Sequence, residues 1–189
     1  MNTPAHLLIG AAAFGRKDKA GTTTAAYLGA FAPDASLYLM VAVSLWIMGI
    51  PAETVFRDLY YSAHWQAVFA VDNSFVLWGF GLAVAIAAKS TRGVAFAAAG
   101  LLHLALDFPL HTHDARMHFW PVSTWVFESP VSYWDRSAHA GLVGPIEVLL
   151  SCVAAIVLWR RFGALWVKGF VALVLAFELL SSGIWQFIF

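Results

Sequence analysis

The residues best equipped for chemistry lie in one run, His103-Leu-Ala-Leu-Asp107-Phe-Pro-Leu-His111-Thr-His113-Asp114-Ala-Arg-Met-His118. Four of the seven histidines and two aspartates fall within these sixteen residues. The chain around them is 61% hydrophobic with a mean hydropathy of +0.74, so this concentration is not ordinary surface decoration. His103 and Asp107 are spaced i, i+4 and share one helical face a turn apart, which is a chelating geometry. Pro109 disfavours helical geometry at Phe108 and ends the helix there. His111, His113, Asp114 and His118 are thereby left on a loop that can fold back over the helix end, with His113 expected to be solvated. Imidazole and carboxylate together suit zinc first, with manganese, iron and magnesium as alternatives, and the lack of thiolates argues against a cysteine-type structural zinc knot. A catalytic site of this kind keeps one metal position open and lowers the pKa of water there toward about 7.

The elements that must position these groups are apolar. At 189 residues the chain is expected to form a single domain, 1–189. Only 12% of residues are charged, while nine are tryptophan and fifteen phenylalanine, a composition that points to an all-α integral membrane protein. The zero net charge gives no sign of a nucleic-acid partner. The lone Cys152 excludes a disulfide within the chain and reads as a small buried apolar residue. Apolar helical segments are expected near 4–15, 21–50 with an interruption at Pro33-Asp34, 73–88, 93–107, 142–159 and 163–188. Several are shorter than the roughly 20 residues of a full span. The expectation is a bundle of four to six short transmembrane or re-entrant helices with a long outer-face loop at about 108–141. The stretch 51–72, mixing Arg57, Asp58, two tyrosines, His64 and Trp65, reads as an interfacial helix. Thr3-Pro4 opens the first helix. The cations Arg16, Lys17 and Lys19 follow that apolar run rather than precede it, so it is expected to be retained rather than cleaved as a signal.

Cation placement supplies an orientation. Arg16, Lys17, Lys19, Lys89, Arg92, Arg160, Arg161 and Lys168 fall at one set of segment ends, and only Arg57, Arg116 and Arg136 at the other. The positive-inside rule places the first set in the cytoplasm and the loop outside. At about 1.5 Å of rise per residue, His6, Asp34, His103 and Asp107 then stand at roughly 15 to 22 Å above the cytoplasmic edge. Asp72 would sit at the outer end of its helix, so ligand-type residues from four segments can converge. Asp34 and Asp72 have an alternative use as helix N-caps. Glu147 and Glu178 lie inside apolar helices, where a carboxylate is a functional candidate by default. Glu147, nearer the outer end, is a candidate general base, as His118 is on the loop.

The N-terminal Ala-His6-Leu-Leu-Ile-Gly, the Gly-Ala-Phe-Ala-Pro33-Asp34 turn, the stretch around Ser74 and His103-Leu-Ala-Leu-Asp107 resemble the small inner-membrane metal-dependent hydrolases of the YdjM-like family. Phe-Pro-Leu-His111…Asp114…His118-Phe-Trp-Pro and Ser-Pro-Val-Ser-Tyr-Trp-Asp135 are similar to a mostly proteobacterial branch of it. The resemblance spans roughly residues 5–140. It implies a multi-pass protein of the bacterial inner membrane, a bound divalent metal, and His6, Asp34, His103 and Asp107 as ligands. One position departs: where the broader family has a His-Arg-Gly…Thr-His-Ser motif, this chain reads Ala-Val-Asp72-Asn73-Ser74. Asp72, or the histidines at 111, 113 and 118, are the candidates to replace the missing ligand.

Together these features lead to a membrane-embedded metal-dependent hydrolase open to the periplasmic face. It would act on an ester or phosphoester, lipid-linked by virtue of location. The metal ligands are expected among His6, Asp34, Asp72, His103, Asp107, His111 and Asp114, with Glu147 or His118 handling protons. The alternative is a non-enzymatic membrane subunit or assembly factor, in which the cluster binds a structural metal or stabilises the fold and the aromatic helices pack on partner subunits. A transporter would also use intramembrane carboxylates, but the chain has no inverted repeat.

Overall fold

In the computed structural model, which describes residues 1–181, the chain is all helical, with no strand among the described residues. Helix α1 runs Thr3–Phe14 and α2 Thr22–Ala42, the latter continuing through a π-helical turn at Val43–Ile47. A single turn, α3 (Ala52–Thr54), widens into a second π turn at Val55–Leu59. Then come α4 (Ala63–Asp72), α5 (Phe75–Ala87), α6 (Thr91–Asp107), α7 (Ala140–Arg161) and α8 (Leu165–Ser181). Serines set three of the starts: the hydroxyls of Ser62, Ser74 and Ser90 accept from the backbone N–H of Trp65, Leu77 and Gly93, respectively.

Three stretches are long and apolar enough to cross a membrane: Thr22–Ile47, Ala63–Ala87 and Ala140–Arg161. The second changes the sequence expectation for 51–72. Its later half, α4, belongs to the span that continues into α5, and only the part before Ala63 stays apart from it. Large apolar side chains point outward along these helices, Leu39, Trp46, Ile47, Phe80 and Leu142 among them. In lipid such an exterior carries no penalty, and the bundle must hold together by close packing instead.

That packing relies on small residues. Helix α1 lies against α2, α6, α7 and α8, and α2 packs along α6. A Cβ placed on Gly29 would stand 2.0 Å from the Phe96 carbonyl oxygen, so the α2 and α6 backbones touch there. Ala26, Ala30 and Ala99 fill the same seam. On the opposite side of α1, Leu8 and Ala11 pack with Ala154, Ala155 and Leu158 of α7 and Val171 and Val174 of α8.

Pro33 does not interrupt α2 as the sequence suggested; the helix continues through it. A proline within a helix removes one backbone donor and crowds the preceding turn, which loosens the carbonyls there. The donor that Pro33 lacks would have met the Gly29 carbonyl; the next carbonyl along, Ala30 O, accepts from His103 Nδ1. At the end of the bundle remote from His103 and Asp107, Arg16, Lys19 and Lys89 line a common recess, and the Arg161 guanidinium donates to the Gly15 carbonyl.

Candidate metal centre

The last turn of α6 carries the centre. His103 and Asp107 project from it as their i, i+4 spacing requires, with His103 Nε2 at 3.3 Å from Asp107 Oδ2. The other nitrogen, Nδ1, donates to the Ala30 carbonyl at 2.8 Å. A carbonyl can only accept, so a proton sits on Nδ1 and Nε2 faces the cluster. That Nε2 is buried without a hydrogen-bond partner. An orphaned buried nitrogen costs free energy unless something occupies it.

Helix α1 brings His6 onto the same carboxylate, its Nε2 2.9 Å from Asp107 Oδ1. The His6 and His103 rings stack at a centroid distance of 3.6 Å. His6, His103 and Asp107 each present a ligand atom within 4.8 Å of the others, and all three are buried. Helix α2 adds Asp34, whose Oδ1 lies 3.7 Å from His103 Nε2 and whose Oδ2 accepts from the Thr3 hydroxyl. The Met1 amino group and Asp107 Oδ1 are also in contact.

Beyond Asp107 the chain turns back, as Pro109 led us to expect. His111 Nε2 comes to 3.3 Å from Asp107 Oδ2, while its Nδ1 is 2.7 Å from Asp114 Oδ2. Asp114 also accepts from the Trp134 indole and the Thr112 backbone N–H. Both of its oxygens are thereby engaged on the far side of the His111 ring. The structure places Asp114 behind His111, in the position of a carboxylate that orients a ligand histidine, rather than among the converging atoms. Burial alone would lower the His111 pKa, but the Asp114 and Asp107 carboxylates outweigh it and raise it to about 9. The Asp114 carboxyl shifts the other way: burial opposes ionisation, and His111 prevails, holding it far below the usual range.

His118 reaches the cavity from the other side. Its backbone carbonyl accepts from the Phe75 N–H, and its Nδ1 donates to the Asn73 carbonyl at 2.9 Å, which leaves Nε2 buried and without a partner. Burial pushes its pKa down to about 4, so the imidazole is a neutral acceptor. Ser74, which caps α5, also donates to the Trp120 carbonyl and fastens the loop to the helix start.

These groups border a cavity of about 110 Å³, with Asp34, Asp107, His111, Asp114, His118 and Tyr133 on its polar side. Leu37, Val41, Phe56 and Phe69 supply an apolar wall. His6 and His103 lie deeper, 1% exposed each.

Of the residues singled out from sequence, His6, Asp34, His103, Asp107 and His111 converge. Asp72 does not: it sits beside Ser36 at the end of α4, outside the cavity lining. Of the residues weighed beside Asp72, His111 and His118 line the cavity. Glu147 is also outside the lining; 1% exposed, it accepts from the Asn2 backbone N–H and fixes the start of α1. Glu178 meets the side chain of the same asparagine, with Asn2 Nδ2 3.5 Å from its Oε1. His113 is exposed, as expected.

Sequence reasoning missed the Ala30 carbonyl, Trp134, Tyr60 and Arg116. The first is a backbone group with no sequence signature. Arg116 was visible, an isolated cation between two histidines, but it reads most simply as a topological charge. No protein-family model matches the chain, and comparisons with curated proteins and with solved structures find no match either.

Proposed function

We propose that this chain is a membrane-embedded metal-dependent hydrolase of the YdjM-like kind, acting on an ester or phosphoester at the outer face of the bacterial inner membrane. The observation that carries the proposal is the buried His6, His103 and Asp107 group, with Asp34 and His111 beside it, at the base of a half-apolar cavity. The donor set fits a divalent cation of the zinc type. Its nitrogens and carboxylates are of the right kind, and His103 Nε2 is buried and unpartnered. Such a cation supplies Lewis acidity toward an ester oxygen and acidifies water.

The protein's own part is positional. The Ala30 carbonyl and Asp114 fix the tautomers of His103 and His111, so that Nε2 of each faces Asp107. His118 Nε2, neutral at physiological pH, is the group that takes up or returns a proton. The wall of Leu37, Val41, Phe56 and Phe69 excludes water and suits an acyl or isoprenoid chain entering from the membrane. The cluster of cations at the remote end sets the orientation through the positive-inside rule.

The test is hydrolysis of chromogenic phosphate and carboxylate esters by purified protein, with and without a chelator. Activity that chelation abolishes and zinc or manganese restores is expected. No turnover of either ester class by metal-loaded protein would turn the reading toward a metal-stabilised membrane subunit. Asn73 favours that second reading, since its amide nitrogen donates within α4 to the Phe69 carbonyl at 3.1 Å.

A further inference from the structure

One charged side chain at the cavity has no role in holding a metal. Arg116 is 7% exposed, so its guanidinium lies inside the fold. It stacks over two rings, with Cζ 4.0 Å from the Phe69 centroid and 4.7 Å from the Tyr60 centroid. Its Nη2 donates to the Tyr60 hydroxyl at 2.5 Å. The other terminal nitrogen, Nη1, is buried and has no hydrogen-bond partner. Among the described residues no carboxylate forms an ion pair with it: Asp114 stands near enough to feel its charge, but its oxygens are occupied by His111, Trp134 and Thr112.

A buried guanidinium is costly to desolvate unless an anion meets it. The two rings hold the plane of the guanidinium, Nη1 is left without a partner, and Arg116 lines the same cavity as Asp107, His111 and His118. A buried guanidinium held flat with an unpartnered terminal nitrogen suits an oxyanion. Resting on the metal-centre reading above, we propose that Arg116 is the anion anchor of this site and that its substrate carries a phosphoryl group. One phosphoryl oxygen lies on the Arg116 fork and the phosphorus side faces Asp107 and His111. Among the ester classes open to a site of this type, this selects phosphoesters over carboxylate esters. The apolar wall beside Phe69 places the organic part of the substrate. Phosphate can reach the site as a lipid headgroup or as a free ion, and the chemistry is shared.

The test is calorimetric titration of zinc-loaded, detergent-solubilised protein with inorganic phosphate, with zinc content measured on the same samples. Wild type is expected to bind phosphate, and Arg116→Gln to bind it roughly ten- to a hundredfold more weakly with zinc content unchanged. Arg116→Lys keeps a cation over the rings and so guards against a folding defect; its affinity is expected to fall about tenfold because the fork is lost. Phosphate affinity equal to wild type in Arg116→Lys and Arg116→Gln overturns the anchor, as does a wild type that holds zinc but no phosphate. Phosphate binding that depends on Arg116 in protein that retains no zinc keeps the anchor and overturns the hydrolase reading. Repeating the titration in nanodiscs separates the sources. Weakened phosphate binding with phosphatidic acid present, compared with phosphatidylcholine alone, identifies a headgroup; unchanged binding identifies the free ion. Either result keeps the anchor.

Discussion

His111 is held from behind by Asp114, Nδ1 to Oδ2 at 2.7 Å, while its opposite nitrogen stands 3.3 Å from Asp107. This is the arrangement by which a carboxylate fixes the tautomer and direction of a ligand histidine. Removing the carboxylate should loosen the ring without deleting a donor. Asp114→Asn is expected to lower metal affinity roughly ten- to a hundredfold, measured by competition with a chromophoric chelator. Unchanged affinity would place His111 outside the centre.

Two loop histidines are expected to pull the stability of the metal-free protein in opposite directions with pH. The His111 pKa is about 9 in the fold, above an ordinary 6.5, so its contribution is complete below 6.5 and is lost as pH rises toward 9. The His118 pKa is about 4, so its contribution is lost as pH falls from 6.5 toward 4, where the buried ring must charge. Thermal melting of chelator-treated protein should therefore peak near pH 6.5 and decline on both sides. His118→Asn should make the acid limb shallower and leave the alkaline limb unchanged. A stability that rises steadily toward pH 9 would show that His111 is not paired with carboxylates.

His118 is assigned to proton handling and not to holding the metal. His118→Asn is expected to retain metal while phosphoester turnover falls about 10²- to 10⁴-fold. Metal analysis and steady-state kinetics on one preparation check this. Loss of metal in the variant would move His118 into the ligand set.

The contact between α2 and α6 at Gly29 sets the spacing between Ala30 and His103. Gly29→Ala must push the Phe96 carbonyl away from 2.0 Å, costing on the order of 3 kcal/mol as overpacking. Thermal melting should show the loss. Because the Ala30 carbonyl moves with it, metal affinity should weaken as well. A variant as stable as wild type would mean the two helices do not touch there.

Much of this was legible in the chain. The i, i+4 spacing of His103 and Asp107 and the helix end before Pro109 follow from local geometry. The similar depths of His6, Asp34 and His103 follow from counting residues from the cations, and the structure brings the two histidines to Asp107 and Asp34 to His103. Asp72 had the right type and depth, yet it lies beside Ser36, because helix rotation is set by packing and not by height. Glu147 reads as a candidate base from its burial in an apolar helix, but only tertiary structure shows that it accepts from the Asn2 backbone. Pro33 reads as a break, but α2 passes through it while His103 takes up the Ala30 carbonyl. The division of the loop into a converging His111, an orienting Asp114 and an exposed His113 depends on its contacts with Trp134, which no periodicity encodes.

The central claim is that His6, His103 and Asp107 hold a metal, and metal stoichiometry of the purified protein tests it most directly. About one equivalent of zinc or manganese per chain is expected in wild type after chelation and reconstitution, falling to a small fraction in His103→Ala and Asp107→Ala variants that still melt cooperatively. A wild-type protein that retains no metal under these conditions, or variants that retain as much as wild type, would contradict it.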